Sequence, residues 1–109
     1  MTLHREAKFA ETIAHLAGEF FAREASPESL ITVTRAIVSP DLKTAMVFIS
    51  VLPESAEEKA LAFAKRERSA LRDFLKQKSA IHFPPLLDVT IDYGEKNRRH
   101  IDDLTRGGA

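Results

Sequence analysis

The stretch LITVTRAIVSPDLKTAMVFISVL, residues 30–52, decides the architecture. Leu30–Val38 and Lys43–Leu52 are rich in β-branched residues, whose stiff side chains suit a pleated, half-buried surface. Ser39-Pro40-Asp41-Leu42 joins the two runs. Proline suits the second position of a type I turn because its ring presets φ, and a serine or aspartate oxygen accepts nearby backbone N–H groups. The stretch is therefore a hairpin. In its second strand Ala45, Val47, Ile49 and Val51 share one face, and Met46, Phe48, Ser50 and Leu52 share the other. Both faces are mainly apolar, which predicts a strand covered on more than one side.

Upstream, Leu3, Ala7, Ala10, Ile13, Ala14, Ala17, Phe20 and Phe21 recur at helical spacing, so residues 3–24 form an amphipathic helix that Ser26-Pro27 ends. Downstream, Ser55-Ala56-Glu57-Glu58 has the pattern of a capping box opening a second helix. That helix must stop before Pro84-Pro85. Leu87 to Tyr93 then alternates strictly, placing Leu87, Val89, Ile91 and Tyr93 on a buried face. Gly94 allows a turn, and Ile101 with Leu104 suggests a short closing helix. The order is helix, strand, strand, interrupted helix, strand. It predicts one α+β domain, a three-stranded mixed sheet with helices packed on one face. The domain spans residues 1–109, with its core at about 3–104 and a short flexible tail at 105–109.

The interruption lies in AKRERSALRDFLKQK, residues 64–78. Helical spacing runs through Leu61, Ala64, Leu71 and Leu75, yet Arg68 occupies the stripe position between 64 and 71. A straight helix would bury that charge. A bend or break within residues 65–70 is the expectation, since the stripe then changes direction. Glu67 and Asp73 are expected to pair with lysines or arginines three or four residues away, worth about 0.2–0.5 kcal/mol each.

Composition narrows the chemistry. The 109 residues contain no cysteine, which removes disulfides, thiol catalysis and cysteine zinc sites. No apolar run reaches membrane-spanning length, and the charged start MTLHREAKFAE is unlike a signal peptide. The four histidines are scattered without metal-ligand spacing, and no nucleophile elbow or glycine-rich phosphate loop occurs. His15, one residue off the helical stripe, reads as a partly exposed structural histidine. Asp88 and Asp92 share one face of the last strand and read as its solvated side rather than an acid/base pair. Net charge is zero, with 16 basic and 16 acidic side chains. The asymmetry is local: residues 65–82 hold six Lys/Arg against two acids.

One resemblance emerges once the strands are placed. Thr32-Val33-Thr34, then Val38-Ser39-Pro40-Asp41-Leu42, then Ala45-Met46-Val47-Phe48-Ile49-Ser50-Val51 resembles the bacterial ribosome-binding factor A family. Its pattern there is V-T-x-V-x-(V)-S-x-D-L followed by A-x-V-(aromatic)-(V/I)-S. Leu71-Arg72 with Leu75 is similar to its I-R-x-x-L helix. Pro85-Leu86-Leu87-Asp88-Val89 is similar to its P-x-L-x-F/V strand, and Asp92 with His100-Ile101-Asp102-Asp103-Leu104 to its closing segment. The resemblance implies a type II KH-like fold of the order helix-strand-strand-helix-(kink)-helix-strand. It implies a cytoplasmic, non-catalytic assembly factor that binds the small ribosomal subunit and its ribosomal RNA during late maturation, mattering most in the cold. In the family an Ala-x-Gly interhelical kink replaces the GxxG loop of ordinary KH domains. Alignment puts that kink at Glu67-Arg68-Ser69, with serine where glycine is usual and glutamate where alanine is usual.

Phosphate contact asks for cations, and the basic helix supplies them. The expected RNA-binding residues are Lys65, Arg66, Arg68, Ser69, Arg72, Lys76 and Lys78. No cofactor, metal, membrane or small-molecule substrate is expected, and the chain is expected to be a monomer. The competing reading is a small α+β protein–protein interaction module without RNA binding, which would use a strand edge or the first helix.

Overall fold

In the computed structural model, the residues described are 2–24 and 28–107, with side chains described for 5–24 and 28–101. The hairpin forms: β1 (Leu30–Val38) pairs antiparallel with β2 (Thr44–Leu52). The Leu42 N–H donates to the Ser39 carbonyl at 2.9 Å, closing the turn around Pro40 and Asp41. Ser39 Oγ donates to Asp41 Oδ1 at 2.6 Å and accepts the Thr44 N–H at 3.1 Å, while Asp41 Oδ1 also accepts the Lys43 N–H at 3.1 Å. These bonds, the Ser39 hydroxyl foremost, hold the Asp41 carboxyl below its usual range. They also hold Leu42 at φ 61°, a left-handed backbone that residues with a Cβ rarely adopt. The Leu42 side chain packs against the core, which offsets that strain.

β3 (Leu86–Ile91) lies parallel to β2, giving the strand order β1-β2-β3. Ala45, Val47, Ile49 and Val51 of β2 and Leu87, Val89 and Ile91 of β3 form the buried face. The other face of β2 departs from expectation. Met46, Phe48 and Ser50 are only half-buried, covered by strand neighbours such as Arg35, whose guanidinium lies 4.1 Å from the Phe48 ring centre. Cross-strand side chains shade one another there without a second layer of helices.

α1 (Thr2–Arg23) packs on the buried face through Ile13, Leu16, Ala17, Phe20 and Phe21, with Phe9 and Ala10 at its margin. The stripe is rotated slightly from the one predicted, because Leu16 and Phe9 bury more area than Ala7 and Ala14. The Leu3 side chain and the Ser26-Pro27 stop lie outside the described residues. His15 is exposed, with Nε2 3.5 Å from Glu19 Oε1.

The crossover from β2 to β3 is two helices. α2 (Glu57–Arg66) and α3 (Arg68–Lys78) meet at Glu67, which caps both with φ −90° and ψ 6°. The predicted break within residues 65–70 is therefore present. Glu67 N–H is shared between the carbonyls of Phe63 and Ala64 at 3.1 and 3.2 Å, and the Glu67 carbonyl accepts the first bond of α3 from Leu71 N–H at 2.9 Å. α2 buries Ala60 and Ala64, and α3 buries Leu71, Phe74 and Leu75, so each half has its own stripe. The capping box does not form. Ser55 falls in a single 3-10 turn, Glu54–Ala56, and α2 starts at Glu57 with Ala56 as an N-cap lacking a side-chain bond.

Ser79 ends α3: its Oγ donates to the Leu75 carbonyl at 2.6 Å and accepts the Ile81 N–H at 3.2 Å. Tyr93 does not extend β3. It is exposed and opens α4 (Tyr93–Gly107), a longer helix than predicted that takes in residues 105–107 of the expected tail. α4 is tied back by Lys96 Nζ to Glu57 Oε1 at 2.8 Å and His100 Nε2 to Glu54 Oε1 at 2.7 Å. The His100 contact holds the Glu54 carboxyl below its usual range.

Candidate nucleic-acid interface

The α2–α3 break hangs beside the start of β3, and the two define one wall of an open groove of about 940 Å³. Lys65, Arg66, Arg68, Ser69 and Arg72 line the helical side. The hairpin turn at Ser39 and Pro40 forms one end, and Asp88 stands at the strand side. Ile37, Met46 and Leu86 give an apolar floor, with Ile37 51% and Leu86 65% exposed. Four cationic side chains thus face one carboxylate over an apolar bed.

The cations are not equivalent. Arg66 is exposed and has no charged partner among the described residues. Arg68 Nε donates to the Lys65 carbonyl at 2.9 Å, closing an orphan acceptor at the end of α2. Its Nη1 reaches Asp88 Oδ1 at 3.2 Å, and Lys65 Nζ lies 3.4 Å from the same oxygen. That oxygen also accepts the Val89 N–H at 2.8 Å. The Val89 amide and, after it, the two cations hold the Asp88 carboxyl below its usual range against some desolvation. The in-helix pairs expected of Glu67 and Asp73 are absent among the described residues; Lys65 and Arg68 turn to Asp88 instead.

Arg72 is half-buried and does a different job. Its Nε donates to the Pro85 carbonyl at 2.9 Å and its Nη2 to the Pro84 carbonyl at 2.7 Å. A diproline lacks two amide donors, and its sheltered carbonyls need partners from elsewhere. The guanidinium fork serves both at once and pins the segment leading into β3. Arg72→Lys keeps the charge but cannot span both carbonyls. It is expected to cost about 1–3 kcal/mol in urea unfolding.

Lys76 and Lys78 lie outside the groove. Both sit on the last turn of α3, where cations complement the helix dipole, and Lys78 faces a separate concavity against α1. Asp88 and Asp92, expected on a solvated face, are both engaged: Asp88 is half exposed but paired with Lys65 and Arg68. Asp92 is only 6% exposed. Its Oδ2 accepts the Thr34 hydroxyl at 2.6 Å and lies 3.4 Å from Arg35 Nε, while Oδ1 accepts the Glu95 N–H at 3.0 Å and so caps α4. The signal that would have found Asp88 is topological: a basic crossover running directly into a strand whose outward face carries one acid.

The sequence profile described as ribosome-binding factor A matches residues 5–105. The chain belongs to the ribosome-binding factor A family. Ribosome-binding factor A of Thermobifida fusca is 29% identical over 103 residues, covering 92% of this chain and 68% of that protein. The crystal structure of ribosome-binding factor A from Thermus thermophilus superposes with a TM-score of 0.71 at 22% identity, over 79% of this chain and 93% of that one. A homology model of the Thermus thermophilus protein, fitted into the cryo-EM map of a 30S–ribosome-binding factor A complex, gives 0.70, also at 22% identity, over 78% and 92%. At these identities the two structures establish the fold. Where the ribosome-binding factor A kink aligns, the break in this chain falls on Glu67, and Ser69 lies two residues on, inside α3. Leu42 is the one non-glycine residue described with positive φ, so the bend asks for no glycine-like backbone at Ser69.

Proposed function

We propose that this protein acts, without catalysis, on the small ribosomal subunit late in its maturation, contacting the ribosomal RNA through the groove at the α2–α3 break. Its contribution is largest in the cold, in the cytoplasm, and it works as a monomer. The observation that carries the reading is the convergence of Lys65, Arg66, Arg68 and Arg72 on one groove in a chain of zero net charge. A local cationic surface finds phosphates without making the whole protein a generic polyanion binder. Lys76 and Lys78 extend the cationic surface along α3 and act as outer, weaker phosphate contacts, while Ser69 offers a hydroxyl at the rim.

The test is co-sedimentation with small ribosomal subunits at increasing potassium chloride. Retention at low salt that falls linearly in a log–log plot is expected, and Arg66→Gln should flatten the slope by roughly 0.7–0.9. Binding indifferent to salt and to Arg66→Gln overturns the reading and favours docking on a ribosomal or other protein.

A further inference from the structure

Asp88 is the one carboxylate among the described residues that line the groove, set against four cationic side chains. Its Oδ1 sits between Lys65 Nζ at 3.4 Å and Arg68 Nη1 at 3.2 Å, looser than the roughly 2.7–2.9 Å of a good charge-assisted hydrogen bond, so a phosphate oxygen entering the same position can hold the two groups more closely. Nothing buries this arrangement: the side chains of Lys65, Arg68 and Asp88 are each close to half exposed. An exposed pair of this kind contributes little net stability, so it opens readily. We infer that Asp88 is an internal competitor for phosphate, occupying the Lys65–Arg68 position in the free protein and yielding it when a phosphate group enters. The inference rests on the RNA-contact reading of the groove and adds a control element to it.

The consequence has a definite sign. A carboxylate that merely oriented the two cations would lower affinity when removed. A competitor raises affinity when removed, because the entering phosphate no longer displaces a bound anion or leaves an unpaired carboxylate beside itself. In the free protein the carboxylate also neutralises the cations in part, so fewer counterions are released per phosphate than the groove's four cations imply. Asp88 thereby weakens binding to arbitrary polyanions. A ligand must supply enough further interactions, at Arg66 and along the apolar floor, to make displacement favourable.

Asp88→Asn is the informative substitution, since the amide oxygen still accepts the Val89 N–H while the charge is gone. Asp88→Ser removes the charge with a different side chain and should read the same way if the asparagine variant folds poorly. Two measurements are made on the wild type and each variant. In the first, inorganic tripolyphosphate is titrated while the Arg68 Nε–H and Val89 amide NMR signals are followed. Saturation at about three- to tenfold lower concentration in the variants is expected at low salt. In the second, binding to small ribosomal subunits is measured against salt, and the slope should steepen by roughly 0.7–0.9. Arg68→Gln should then cost more affinity when combined with Asp88→Asn than alone. Equal or weaker tripolyphosphate binding in the variants, or no response in any of them, overturns the inference. If tripolyphosphate behaves as expected and subunits bind to none of the proteins, the RNA reading fails while the competitor role stands.

Discussion

Asp92→Ala is expected to destabilise the fold by about 1.5–2.5 kcal/mol, measured as a lower urea midpoint with an unchanged slope. The carboxylate ties the first turn of α4 to β1. Oδ1 caps α4 through the Glu95 N–H, and losing an N-cap acceptor costs about 1 kcal/mol. Oδ2 holds Thr34 at 2.6 Å, the extra residue in the register shift between Val33 and Arg35 of β1, and lies 3.4 Å from Arg35. Removing the acceptor leaves the Thr34 hydroxyl only its longer bond to the Phe48 carbonyl at 3.3 Å and leaves the Arg35 guanidinium to solvent and the Phe48 ring, a further penalty of about 0.5–1.5 kcal/mol. The backbone N–H of Asp92 still reaches the Ile49 carbonyl at 2.7 Å, so the strand end survives while the helix loosens. The acid dependence follows from the same bonds. The Thr34 hydroxyl, and after it the Glu95 N–H and Arg35, hold the Asp92 carboxyl below its usual 3.8 despite burial. A depressed folded value means the stabilisation is complete above the unfolded value and is lost as pH falls through the folded one. Wild-type stability should therefore drop below about pH 4, and Asp92→Ala should flatten that part of the curve.

Replacing Lys65, Arg66 and Arg68 together by glutamine is expected to lower affinity for small ribosomal subunits on the order of a hundredfold at low salt. The log–log salt slope should flatten by about two to three units, roughly 0.7–0.9 for each phosphate that is no longer neutralised. These three residues are chosen because their head groups are exposed and none is buried in the core, so the loss should come without unfolding. Arg72 is left in place, since removing it would free the diproline carbonyls and confuse a binding loss with a folding one. A triple variant that binds as tightly as the wild type, with an unchanged slope, would remove the groove from consideration.

The parts of this fold that could be read from the sequence are those decided by nearest neighbours and short periods. The hairpin at 30–52 is one, because alternation, β-branching and a Ser-Pro-Asp turn all act locally. The break near Arg68 is another, because a charge in a core stripe is intolerable to a straight helix. The misreadings come from competition between local and distant partners. Ser55 and Glu58 have the spacing of a capping box, yet the 3-10 turn at Glu54–Ala56 delays the helix start to Glu57. Tyr93 continues the alternation of β3, but the cap supplied by Asp92 starts a helix there instead. For the candidate site, charge density on one helix pointed to the groove. It could not separate Arg72, bonded to carbonyls thirteen and twelve residues away, from Arg66, which faces solvent. Nor could it separate both from Lys65 and Arg68, which share an acid on β3.

The two rims of the sheet bear on how the chain behaves among copies of itself. Leu86 and Asp92 donate their amides to Lys43 and Ile49 of the β2 side, so the odd-numbered amides of β3 point away from the sheet. The central one, on Val89, is already taken by the Asp88 side chain. On the opposite rim, β1 shifts register between Val33 and Arg35, and Asp92 clamps that irregularity from within. A foreign strand approaching either rim meets an interrupted ladder instead of a straight one. Fibrillar growth and strand-swapped dimers are thereby discouraged by the same two aspartates that organise the groove and the last helix.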